Sequence, residues 1–212
     1  MNNMLLGIIY KIPAILIAFT IQGYAKAKMA DRLGDKTPRF QGRLSLNPID
    51  HIDPMGFLLI LIAGFGWTKP LNTNPNAYKR GHKDTIKVIL AGPIANLLVG
   101  FVGAFAFQLF ISITTLTPSV YVVGANMISA IFSVNVSLFV FNLLPLPGLA
   151  GFEIWKNFWL KSFYKYSDYM YQYQMFIMLG IILIGGKILI IPVNAIIILF
   201  STIAKVVVGI FI

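Results

Sequence analysis

Cysteine is absent from the 212 residues, which excludes disulfides, thiolate metal sites and cysteine nucleophiles. Histidine occurs only at His51 and His82. Acidic residues number seven: Asp31, Asp35, Asp50, Asp53, Asp84, Glu153 and Asp168. A zinc site draws three or four ligands from Cys, His, Asp and Glu. No two histidines here stand a helical turn apart. Charged residues make up 11% of the chain, against about 25% in a soluble domain.

What fills the space is apolar. Hydrophobic residues are 58% of the chain, which points to a single polytopic membrane domain. The net charge of +10 is spread over the gaps between apolar runs, with no separate basic domain. That is the pattern of membrane loops, and nucleic acid is not an expected partner. The lipid bilayer is. No small-residue cleavage site follows the first apolar run, which therefore reads as a retained anchor.

A spanning helix needs about 20 mainly apolar residues. Runs at 4–21, 86–113, 120–141, 169–185 and 188–212 meet that length. The run at 55–67 is too short and lies between Pro54 and Pro70, so 54–70 reads as a re-entrant or interfacial segment. The expected fold is all-α, with five full transmembrane helices and one short one. Phe40, Leu44 and Leu46 are spaced by polar or small residues, which suggests a strand or hairpin at the cytoplasmic side near 39–48. Basic loops follow the first span, precede the second and follow the third, while 114–119 carries no charge. The positive-inside bias then puts the N-terminus outside and the basic loops in the cytoplasm.

Loop residues offer little chemistry. His51 with Asp50 and Asp53 reads as a polar turn, and Ser45, His51 and Asp53 have nothing to set a triad's geometry. The small residues of 101–107 read as a helix-packing surface. Two stretches inside the spans say more: AGPIAN (91–96) and NLLPLPGLAG (142–151) break or load helices at membrane depth. Such breaks survive where the freed backbone lines a cavity or bonds another helix. Together they suggest a cytoplasm-facing groove near Gln22, Asn96, Asn142, Pro145, Gly148 and Glu153.

These stretches, in order, resemble the site-2 protease family of intramembrane zinc metalloproteases, in its compact bacterial type. The resemblance covers 20–154. It rests on Arg32-Leu33-Gly34-Asp35, Gly42-Arg43-Leu44, Leu46-Asn47-Pro48, His51-Ile52-Asp53-Pro54, Ala91 through Asn96, and Asn142, Pro145, Pro147 and Gly151. It implies a membrane core at 1–154, with 155–212 adding a cytoplasmic loop and C-terminal helices, in a bacterial cytoplasmic membrane.

Counting back from Arg32, the family's H-E-x-x-H falls on Gln22, Gly23 and Lys26, and its third ligand, an aspartate, falls on Ala150. In that motif, residues i and i+4 share a helix face and grip zinc, and the glutamate takes a proton from the bound water. Gln22, Gly23, Lys26 and Ala150 can do none of this. The expectation is therefore a pseudoprotease without zinc or another cofactor. It would hold a transmembrane client, a peptide segment or a homologous protease in the former substrate groove. An active metalloendopeptidase with non-standard ligands (His51, His82 or Glu153) is the first alternative. A transporter, with Lys11 and Lys187 beside its spans, or a structural subunit is the second. Lys26 is further expected to pair with Glu153, and Gln22 with a backbone group freed near Pro145.

Overall fold

A computed structural model of the chain describes residues 3–64, 66–112, 117–180 and 186–211. Its elements are α1 (Asn3–Arg32), α2 (Thr37–Phe40), α3 (Pro54–Ala63), α4 (His82–Ile111), α5 (Pro118–Asn142), α6 (Ala150–Phe158), α7 (Leu160–Gln172), α8 (Gln174–Gly180) and α9 (Gly186–Phe211). Among the described residues four stretches are long and apolar enough to cross a membrane: Leu6–Arg32, His82–Ile111, Pro118–Asn142 and Ile188–Phe211.

The fifth expected span is not seen as one helix. Residues 169–180 are divided between α7 and α8 at Tyr173, and 181–185 lie outside the described residues. The polar, aromatic YMYQYQ stretch gives α7 a wet face as well as an apolar one. Tyr164, Tyr166, Tyr169 and Tyr171 are all exposed, which suits a membrane interface better than hydrocarbon.

The short segment behaves as its length requires. Asp53 caps α3 by accepting from the Gly56 amide at 2.8 Å, and Pro54 occupies the first turn. Ten residues at 1.5 Å each give about 15 Å, half a hydrocarbon core. Its inner face places Ile60 against Ala14, Ile15, Ala18 and Phe19 of α1 and Leu138 of α5.

The expected strand or hairpin at 39–48 is not formed; no β-strand occurs among the described residues. Pro38 starts the short α2 instead, Gly42 turns at a left-handed φ of 68°, and Pro48 opens a 3-10 turn. Phe40 and Leu46 are exposed, so their alternation does not mark a buried sheet face. An antiparallel bridge joins Ile52 and Thr68, with the Lys69 amide donating to the His51 carbonyl at 2.9 Å.

The core is a bundle of α1, α4 and α5, with α9 packed on α4 and α5. Small residues let α4 approach: a Cβ at Gly100 would meet Val136, and one at Gly103 would meet Phe132. That accords with reading 101–107 as a packing surface. Ile94, Leu98, Val102 and Leu109 of α4 and Ile191, Ile198, Val206 and Ile210 of α9 point outward. An apolar exterior on helices of this length is a lipid-facing surface.

Beyond α1 the chain is tied down by the Arg32–Asp35 turn. Asp35 is buried and accepts from the amides of Thr37 at 2.8 Å and Asn74 at 2.7 Å. Asp31 pairs with Lys36 and Arg39 at 3.2 and 3.0 Å. These contacts bring the loop 67–78 across the end of α1.

Candidate functional site

At that end of the bundle lies a cavity of about 580 Å³. Gln22, Gly23 and Lys26 reach it from α1, Asn142 from the end of α5, and Ala150 and Glu153 from the first turn of α6. Residues 120 apart in the chain meet there because α5 stops at Asn142, where the Pro- and Gly-containing stretch turns the backbone back into α6. Gly148, with a φ of 89°, is also on the wall.

Gln22 is the centre of an amide cluster. Its Oε1 accepts from Asn96 Nδ2 at 2.7 Å and from Asn142 Nδ2 at 3.2 Å. Its Nε2 donates to Asn142 Oδ1 and Thr68 Oγ1, both at 3.3 Å. Asn142 Nδ2 also donates to the Leu138 carbonyl at 2.8 Å. Gln22 lies about 15 Å inside the end of α1, and Asn96 about 21 Å inside the start of α4, at 1.5 Å per residue. Amides at that depth need partners within the protein. The cluster thus ties together the three core helices and the loop carrying Thr68. Asn96 stands behind Gln22, off the cavity wall, and its own Oδ1 has no partner.

Beside Gln22, the absence of a side chain at Gly23 admits the ring of His51. A Cβ there would collide with Nδ1 and approach Cγ to 2.9 Å. His51 is fully buried, its Nε2 lies 2.7 Å from the Ser45 carbonyl, and its Nδ1 has no partner. Burial pushes the imidazole below its usual pKa of 6.5, with the Ser45 hydrogen bond partly opposing and the Arg43 charge adding to the shift.

Lys26 is half-buried on the cavity wall, with no hydrogen bond or ion pair. The expected Lys26–Glu153 pair is not formed, although the Glu153 and Arg43 charges are both close enough to act on Lys26. Gln22 likewise finds the Asn142 side chain rather than a backbone group near Pro145. Pro145 itself is exposed and off the wall. The tight Leu146-to-Leu144 turn, at 2.9 Å, points it outward, and the buried Pro147 lines the cavity in its stead.

Among the wall residues that sequence reasoning did not assign to the site are Thr68, Arg43 and Tyr78. Arg43 is buried, with Nη1 and Nη2 donating to the carbonyls of Pro70 and Lys69 at 2.9 Å each. The G-R-L signature was a possible signal for it. Nothing local distinguishes Tyr78 or Thr68, which arrive with the loop.

Two curated proteins bear on what this arrangement is. The chain is 39% identical over 146 residues to a Bacillus subtilis (strain 168) protein named "Putative zinc metalloprotease YwhC", covering 68% of this chain and 67% of that one. This chain is a member of the site-2 protease family. A Mycolicibacterium smegmatis protein, "Putative zinc metalloprotease Rip2", is 29% identical over 147 residues, 65% of this chain and about half, 52%, of that one. No family model and no solved structure matches the chain.

Within the family frame, Gln22, Gly23, Lys26 and Ala150 are drawn to one cavity although they come from two distant segments. Among the described residues, no three of His, Cys, Asp and Glu converge anywhere. His82 stacks edge-on against Phe158 at 5.9 Å, and His51 lies behind Gly23, off the wall. The wall offers a zinc ion one carboxylate, no imidazole and a lysine ammonium, and that donor set does not fit the metal.

Proposed function

We propose that this membrane protein is a site-2-protease homologue without metal-dependent peptide hydrolysis, and that its cavity holds a peptide or transmembrane segment of another protein. The observation that carries the reading is the identity of the four residues meeting at the cavity. A neutral amide, a glycine, an ammonium and a methyl group supply neither the ligands nor the base of metal-assisted hydrolysis. The Gln22–Asn96–Asn142 cluster supports it, because it joins α1, α4 and α5 through neutral hydrogen bonds and needs no cation between them. The unpaired groups on the wall and the cavity's size, within the roughly 300–1,000 Å³ of ligand pockets, suit a bound guest.

The test has two measurements on protein purified from membranes without chelator. Elemental analysis is expected to find no stoichiometric zinc, and incubation with unfolded and transmembrane substrates no chelator-sensitive cleavage. A photo-crosslinking residue at Asn72, exposed on the cavity wall, is expected to capture an apolar segment in native membranes. One zinc per chain, lost together with peptide-bond cleavage on chelation, would refute the proposal.

A further inference from the structure

The cavity's polar groups are not evenly satisfied. The amide nitrogens of Gln22 and Asn142 spend both protons within their own cluster, so they have no donor left for a guest. Three donors on the same wall are unspent. Lys26 Nζ has no hydrogen-bond or ion-pair partner. Arg43 Nε is buried and unpaired, while the other two guanidinium nitrogens, held by Lys69 and Pro70, lock the group's orientation. The Tyr78 hydroxyl is buried with the Thr73 side chain nearby, but has no partner in hydrogen-bonding geometry. Trp67, Val88, Ile89 and Leu149 provide an apolar wall beside them.

Resting on the peptide-holding reading above, we propose that the cavity is a carboxylate-binding site that receives the C-terminal end of a peptide. A carboxylate accepts through two oxygens and about four lone-pair sites, which matches a wall whose unspent polar atoms are donors. Charge selects among anions. Among the described wall residues Glu153 is the one carboxylate beside Lys26 and Arg43, Asp50 acts on Arg43 from off the wall, and Lys69 is exposed and screened by solvent. So small a positive excess suits a singly charged carboxylate rather than a phosphate dianion. The apolar wall takes the last side chain of the guest.

The experiment uses the full chain in nanodiscs of zwitterionic lipid and a short fluorescent Leu/Val peptide, made with a free C-terminal carboxylate and as its amide. Anisotropy is expected to show the carboxylate form binding about tenfold more tightly, the scale of one charge-assisted hydrogen bond. Lys26→Met should remove that preference, and Lys26→Arg should retain it. Tyr78→Phe, which deletes one oxygen, should lower the preference about threefold even if Lys26→Met fails to fold. Equal affinity for the two peptides in the unmodified protein overturns the proposal while leaving peptide binding in place. Binding of neither overturns both readings. If phosphatidylglycerol in the nanodisc or inorganic phosphate abolishes the difference, the site belongs to a headgroup or free phosphate and the proposal fails.

Discussion

Replacing Gln22 by leucine tests whether the amide cluster holds the helices together. The change keeps the side chain's bulk and removes both polar atoms. Asn96, with no exposed surface, loses the acceptor of its Nδ2 at 2.7 Å, and its Oδ1 already has no partner, so the whole amide is stranded. Asn142 keeps its bond to Leu138 but loses the donor to its Oδ1. A buried polar atom left unpaired costs about 1–3 kcal/mol. Interhelical hydrogen bonds in membranes have averaged about 0.6 kcal/mol, with a maximum near 1.7. Two stranded atoms and a lost Thr68 contact, weighted toward that lower scale, give about 2–3 kcal/mol. SDS-driven unfolding followed by tryptophan fluorescence measures it, and Trp67 on the cavity wall is a local reporter. Combining Gln22→Leu with Asn96→Leu removes donor and acceptor together, so the double variant should recover about 0.6–1.7 kcal/mol of the summed single losses. If Gln22→Leu is as stable as the parent, or if the two changes add strictly, the cluster is not a cross-link.

Three further outcomes follow from the same geometry. Gly23→Ala should destabilise by about 1–3 kcal/mol through overpacking against His51, and the penalty should nearly vanish in a His51→Ala background. Because burial depresses the His51 pKa, the unfolded chain binds the extra proton first. Stability should therefore be full above about pH 6.5 and fall as the pH drops toward the folded value, and His51→Gln should flatten that part of the profile. Arg43→Lys cannot hold two carbonyls in a fork, so it should cost about 2 kcal/mol and speed amide exchange across 69–72.

The membrane helices were legible because bilayer thickness demands long apolar runs, and four of the expected runs are single helices. The expected run at 169–185 is described only to 180, where it divides between α7 and α8 at Tyr173, with Tyr169 and Tyr171 exposed. At 39–48 alternation alone suggested a strand, yet a strand needs a partner. Its would-be inward residues Phe40 and Leu46 are exposed, and Gly42 turns the chain between them. The meeting of Gln22, Gly23, Lys26 and Ala150 was readable from motif order. Arg43, Thr68 and Tyr78 were not, since their roles arise from loop contacts across 26 to 46 residues that no local pattern specifies.

The same contrast explains why the Lys26–Glu153 pairing was a poor expectation. A buried ion pair is stabilising only when its geometry is excellent and its remaining protons and lone pairs are satisfied. Neutral amides cross-link helices without that desolvation cost, and in this cavity they do so. Once Gln22, Asn96 and Asn142 hold α1, α4 and α5 together, Lys26 is not required as a strut, and its amine stands on the cavity wall without a hydrogen-bond or ion-pair partner. On the proposed reading, structural and recognition roles are thus divided between neighbours on one helix face. Gln22→Leu should lower stability with little effect on guest preference in the fraction that remains folded, and Lys26→Met should do the reverse. A cavity in which both substitutions damaged both properties equally would be a single structural unit, and the division would be wrong.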